Sequence, residues 1–107
     1  MDEPELPGAD LVRAGLADLE RGVESVEALL VEIGAPRLRR LGAKIVCLTS
    51  SLERGSPEHR LYARLESALG AGAYSQYNAL LRRLVSYERA LELYVRLTRE
   101  AATDHVQ

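Results

Sequence analysis

YSQYNALLRRLVSYERALELYVRLTREAA, residues 74–102, is the stretch whose reading decides the fold, because its 29 residues contain neither glycine nor proline. At about 100° per residue, Tyr77, Leu80, Leu81, Leu84, Tyr87, Leu91, Tyr94, Val95 and Thr98 fall within one arc of about 160°. Ser75, Asn78, Arg82, Ser86, Arg89, Arg96 and Glu100 fall opposite. Tyr77, Leu84, Leu91 and Thr98 recur every seven residues, as do Leu80, Tyr87 and Tyr94, giving a seam like that of a coiled coil. The pattern predicts one amphipathic helix, about 43 Å long at 1.5 Å per residue.

The segments before it predict shorter helices. Ser56-Pro57-Glu58 combines a capping serine, a proline at the first helical position and an acid near the positive end of the dipole. It predicts a helix over 57–69 with Leu61, Tyr62, Leu65, Ala68 and Leu69 inward, ended by the turn Gly70-Ala71-Gly72. Leu11, Val12, Gly15, Leu16 and Leu19 share a helical period after Asp10, which is placed to cap a helix over 10–21. Ser25 starts a helix over 25–33 that Gly34 ends, and Pro36 opens a short one over 36–41. Lys44 to Thr49 is β-branched enough for a strand but has no partner strand, so residues 43–56 read as an extended segment laid over the bundle. The expected architecture is all-α: four or five helices, the short N-terminal ones packed on the long C-terminal amphipathic helix. Residues 9–103 form the single domain, and residues 1–8 a disordered acidic tail.

Composition narrows the function classes. At 107 residues and 47 % hydrophobic content the chain can bury a core without metals or disulfides. With five Tyr and no Phe or Trp, the core falls to Leu, Val and Ala, and the tyrosines read as fillers with hydroxyls at the rim. The one cysteine, Cys47, lies in the apolar run Ile45-Val46-Cys47-Leu48 and reads as an inert thiol. The start MDEPELPGAD is acidic and broken by Pro4 and Pro7, unlike a secretory signal. No apolar run approaches the 18 or more residues that span a bilayer, so the expectation is a cytoplasmic protein without membrane contact. No cofactor or metal motif is present; Glu88 and Glu92, one turn apart, read as solvated surface.

The net charge of −2 conceals an acidic N-terminal third and a basic remainder that holds eleven of the thirteen arginines. Within one compact domain the two halves are expected to pair internally. Arg82, Arg89 and Arg96 stand seven apart on one exposed line, with Arg83 and Arg99 near its ends. Arg37, Arg39, Arg40 and Lys44 form a denser group. Such faces can track phosphates, but the sequence pI of about 5.7 is far from the basic range of nucleic-acid binders. Five residues separate Arg99 from His105, and four separate Arg54 from His59. That spacing is similar to the pair in small all-helical ribonucleases of the HEPN type, which implies an arginine on phosphate and a histidine in acid/base work. Leu93 and Leu97 fall outside the main apolar arc. With the helix longer than its neighbours, they point to a second contact surface built from Arg82, Arg89, Leu93, Arg96 and Leu97. The reading that ranks first is a non-enzymatic interaction or oligomerisation module, a homodimer or a binder of a protein partner. A nucleic-acid binder using the Arg37–Lys44 and Arg82–Arg99 faces ranks second, and a ribonuclease-like enzyme third.

Overall fold

The computed structural model describes residues 5–46 and 55–105, with side chains to 101. Within those residues the fold is all-helical: α1 (Ala9–Glu20), α2 (Val26–Arg40), α3 (Pro57–Leu69), a single 3₁₀ turn (Gly70–Gly72) and α4 (Ala73–His105). Cys47, Arg54 and most of the segment expected to be extended lie outside the described residues. Of that segment, Ile45 packs against the α1–α2 cluster.

The centre of the bundle is α2, not the long helix. Ala28, Leu29, Leu30, Val31 and Glu32 are all buried in succession, and five consecutive positions cover every side of a helix. Leu29 and Leu30 meet Leu61 and Leu65 of α3 and Ala73, Leu80 and Leu84 of α4 in the main core. Ala28 and Val31 join Val12 and Leu19 of α1 in a second cluster, with Leu16 and Tyr87 at its edge. Tyr62 and Tyr77 close the main core edge to face, ring centres 5.5 Å apart.

Two expected helices, 25–33 and 36–41, are one. Gly34 does not stop α2, and Pro36 lies inside it. The role of Gly34 is steric: a Cβ there would stand 2.9 Å from Leu84 Cδ1 and from Glu88 Oε2. Gly15 of α1 does the same work against α2, where a Cβ would collide with the Glu27 carbonyl. Pro36 is exposed and costs α2 one backbone donor, which the packing around α2 outweighs.

The helix ends follow local chemistry. Ser25 Oγ accepts from the Ala28 N–H at 3.0 Å and donates to Asp18 at 2.6 Å, tying the end of α1 to the start of α2. That hydroxyl and Arg21 hold the Asp18 carboxyl below its ordinary range. Ser56 caps α3 through the His59 N–H, with Pro57 first in the helix. Asp10 is not the cap of α1. Gly8 holds that position without a side-chain bond, and Asp10 reaches Arg83 at 3.1 Å instead. At the end of α3, Ala68 and Leu69 are exposed rather than inward.

The close crossings generate a stability test. Gly15→Ala forces α1 off α2 and is expected to cost about 1–3 kcal/mol, a fall in melting temperature of several degrees. Gly72→Ala, whose Cβ would meet nothing nearer than 3.8 Å, serves as the control and should leave the thermal melt nearly unchanged.

Candidate interaction surface

The long helix outruns its bundle. α4 has 33 residues, about 50 Å, whereas α1, α2 and α3 have 12, 15 and 13. Its last buried side chains are Leu84 and Glu88. Leu91 and Val95 are half-buried, and the remaining side chains from Glu92 to Ala101 are exposed. The overhang stretches the molecule to 56 Å against 28 and 21 Å in the other directions. The radius of gyration is 15.6 Å, above the roughly 13 Å of a compact chain this long.

That overhang is apolar on most of its surface. Leu93, Tyr94 and Leu97 are 47 %, 36 % and 55 % exposed. From Arg89 onward the charged residues Arg89, Glu92, Arg96, Arg99 and Glu100 share an arc of about 100°. Ala90, Leu91, Leu93, Tyr94, Val95, Leu97, Thr98 and Ala101 occupy the rest. Thr98 spends its hydroxyl on the Tyr94 carbonyl at 2.7 Å, leaving its methyl to the apolar side. All five residues singled out from the sequence lie on this helix: Arg82, Arg89, Leu93, Arg96 and Leu97 are exposed. Arg82 stands apart from the overhang, beside the bundle.

Two features frame the surface. Where α4 leaves the bundle, Arg37 of α2 bridges Glu92 at 2.6 Å and Glu88 at 3.4 Å. Glu88 is not the solvated acid expected from its spacing to Glu92. It is 6 % exposed, and burial raises its pKa against the opposing pull of Arg37. On another side, residues 5–8, expected within a disordered tail, lie against α4. Glu5, Leu6, Ala9, Arg13 and Leu16 face Tyr87, Leu91 and Tyr94 across a cavity of about 220 Å³.

The remaining charges largely close on themselves. Arg60 is buried and pairs with Glu24 at 2.9 Å and Glu32 at 3.0 Å, while its Nε donates to the Gly55 carbonyl at 3.2 Å. Together with Arg83–Asp10, these bonds join the acidic third to the basic remainder inside the domain. Sequence reading missed Arg60. The available signal was Glu32, an acid flanked by Leu29, Leu30, Val31 and Ile33, which needs a buried cation. Of the denser basic group, Arg37 is committed to α4, and Arg39 donates to the Ile45 carbonyl at 2.9 Å. Arg82, Arg89 and Arg96 make no hydrogen bond or ion pair among the described residues.

Neither Arg–His pair is described in full. Arg54 lies outside the described residues, and the His105 side chain likewise, although its backbone ends α4. His59 is exposed on an open groove of about 660 Å³ with Arg60 and Arg64, where Glu24 and Glu32 neutralise the arginines. Among the described residues no group of three or more His, Cys, Asp or Glu side chains could hold a metal. No described helix is long and apolar enough to cross a membrane. No protein-family model, curated protein or solved structure matches the chain.

Glu88 gives this end of the bundle a pH signature. Its folded pKa lies above the unfolded value, so the folded state holds the proton more tightly. Its contribution is therefore favourable below the ordinary glutamate range and is lost as pH rises through the raised value. Glu88→Gln should melt no lower than the parent at pH 7 and flatten the pH dependence just above the ordinary glutamate range. Arg37→Ala should cost roughly 1–2 kcal/mol at pH 7 by stripping Glu88 and Glu92 of their shared cation.

Proposed function

We propose that this chain is a non-enzymatic self-association module whose contact element is the overhanging half of α4. The observation that carries the reading is that α4 continues past the bundle while keeping Leu93, Tyr94 and Leu97 exposed. An isolated helix of about a dozen residues is marginal in water and owes its persistence to the burial of an apolar face. A soluble chain that extends such a face has a use for it, and contiguous exposed apolar patches mark association sites.

Two further observations favour protein contact over nucleic acid. Arg37, Arg60 and Arg83 are tied to acids of the same chain, which removes them from a phosphate-binding surface. The unpaired Arg89 and Arg96 run beside Leu93 and Leu97 and flank the apolar sector, as charges at the rim of an interface do.

Light scattering across a concentration series tests the proposal. The parent protein is expected to weigh twice 11.8 kDa at about 100 μM and to dissociate on dilution, as suits a contact about four helical turns long. Leu93→Glu with Leu97→Glu should hold the mass at that of one chain throughout, with the bundle still folded and helical circular dichroism reduced by no more than the share of the overhang, because neither residue belongs to the core. A parent that stays monomeric at about 100 μM overturns the proposal. A dimer unaffected by the double substitution places the contact elsewhere and overturns the assignment to α4.

A further inference from the structure

We infer that the partner on the overhang is a second copy lying antiparallel, with Leu93 of each chain against Leu97 of the other. This rests on the self-association proposed above and adds the direction and register of the pair.

The direction follows from what covers the same face lower down α4. Residues seven apart share a line on a helix, so Leu93 lies above Ser86 and Ala79, and Leu97 above Ala90 and Arg83. At the lower end these lines are occupied. Pro7 and Gly8 sit over Ala79, Arg82, Arg83 and Ser86 around a hollow of about 350 Å³. Gly8 lies so close that a Cβ on it would stand 2.9 Å from the Arg83 carbonyl. Asp10 follows on the same side, bonded to Arg83. The chain's own N-terminal approach thus lies against this face at the level of Ala79 to Ser86, although Arg82, Arg83 and Ser86 stay exposed around it, whereas Leu93 and Leu97 stand exposed further on.

A parallel second copy would bring its own Pro7–Gly8 segment and α1 to the same level on the same side. Packed helices lie about 8–10 Å apart, and these bodies measure 28 by 21 Å across. An antiparallel copy avoids the conflict, because the two bundles then stand at opposite ends and only the open halves overlap.

The register follows from the residues that become opposed. With the two-fold axis at the level of Val95, Leu93 meets Leu97 of the partner subunit, and Ala90 meets Glu100 of the partner subunit. In a two-fold antiparallel pair the same flank of each helix faces its own copy. Arg89 and Glu100 share a flank beside Leu93, so each Arg89 lies within one residue's rise of the partner subunit's Glu100. The pair therefore joins leucine to leucine twice and arginine to glutamate twice, against one approach of like charge, where the two Arg96 side chains come within two residues' rise of each other on the same flank. A second copy supplies both arginine–glutamate pairs from this chain's own Arg89 and Glu100.

Disulfide trapping tests the arrangement. In a Cys47→Ser background, Leu93→Cys and Leu97→Cys chains are oxidised separately and as a mixture, and covalent dimer is read on non-reducing gels. Residues 93 and 97 of opposite chains come within bridging reach, whereas two copies of residue 93 are offset along the axis by about 6 Å. The mixture is expected to form roughly tenfold more covalent dimer than either variant alone. Equal or faster bridging of Leu93→Cys by itself would show a parallel pair and overturn the inference. So would absence of bridging in every sample while light scattering still reports a dimer, which leaves self-association standing. A monomer by light scattering overturns both.

Discussion

The crossing of α2 over α4 at Gly34 governs the rest of the molecule. With no side chain at Gly34, Leu84 and Glu88 press directly on α2, and Arg37, one turn on, grips Glu88 and Glu92. α2 then ends at Arg40, and past that level α1 and residues 5–6 face Leu91 and Tyr94 of α4 across a cavity. The long helix is therefore held firmly on one half and left open on the other. Its exposed leucines follow from a mismatch of length, since helices of 12 to 15 residues cannot cover one of 33.

The bundled half shows how electrostatics and packing divide the work. Arg60 and its two glutamates occupy a position where apolar side chains would serve stability at least as well. What the charged trio supplies is registry: it sets α3 against α2 and the α1–α2 connection in one arrangement. It also absorbs acids of the N-terminal third, as Asp10 does with Arg83. The charge asymmetry of the sequence is consequently spent largely inside the domain, and Arg89 and Arg96, which make no ion pair among the described residues, lie on the open half of α4.

Much of this was legible in the residues, and what was missed has physical reasons. The seven-residue recurrence from Tyr77 to Thr98 and the Ser56-Pro57 start needed only local rules, and both helices stand where those rules place them. Gly34 misled because glycine serves two purposes, ending helices and admitting neighbours, and only the position of Leu84 separates them. Glu88 misled because its spacing to Glu92 is a surface pattern on one helix, whereas its burial is decided by α2. Arg60 was silent because a buried cation is recognisable only once its acids, 28 and 36 residues away, are in view. For the surface, the type and position of Leu93 and Leu97 were readable. That Pro7 and Gly8 lie against the same face lower down was not, because the segment reads as a tail.

The central claim is that the bundle holds only the first half of α4 and that a second copy holds the remainder. Amide hydrogen exchange at two protein concentrations tests it most directly. Protection over residues 73–88 should be the same in both samples, because intrachain packing supplies it. Protection over 89–101 should be strong in the concentrated sample and collapse in the dilute one. Exchange over 89–101 that is indifferent to concentration, whether fast or slow, would contradict the account.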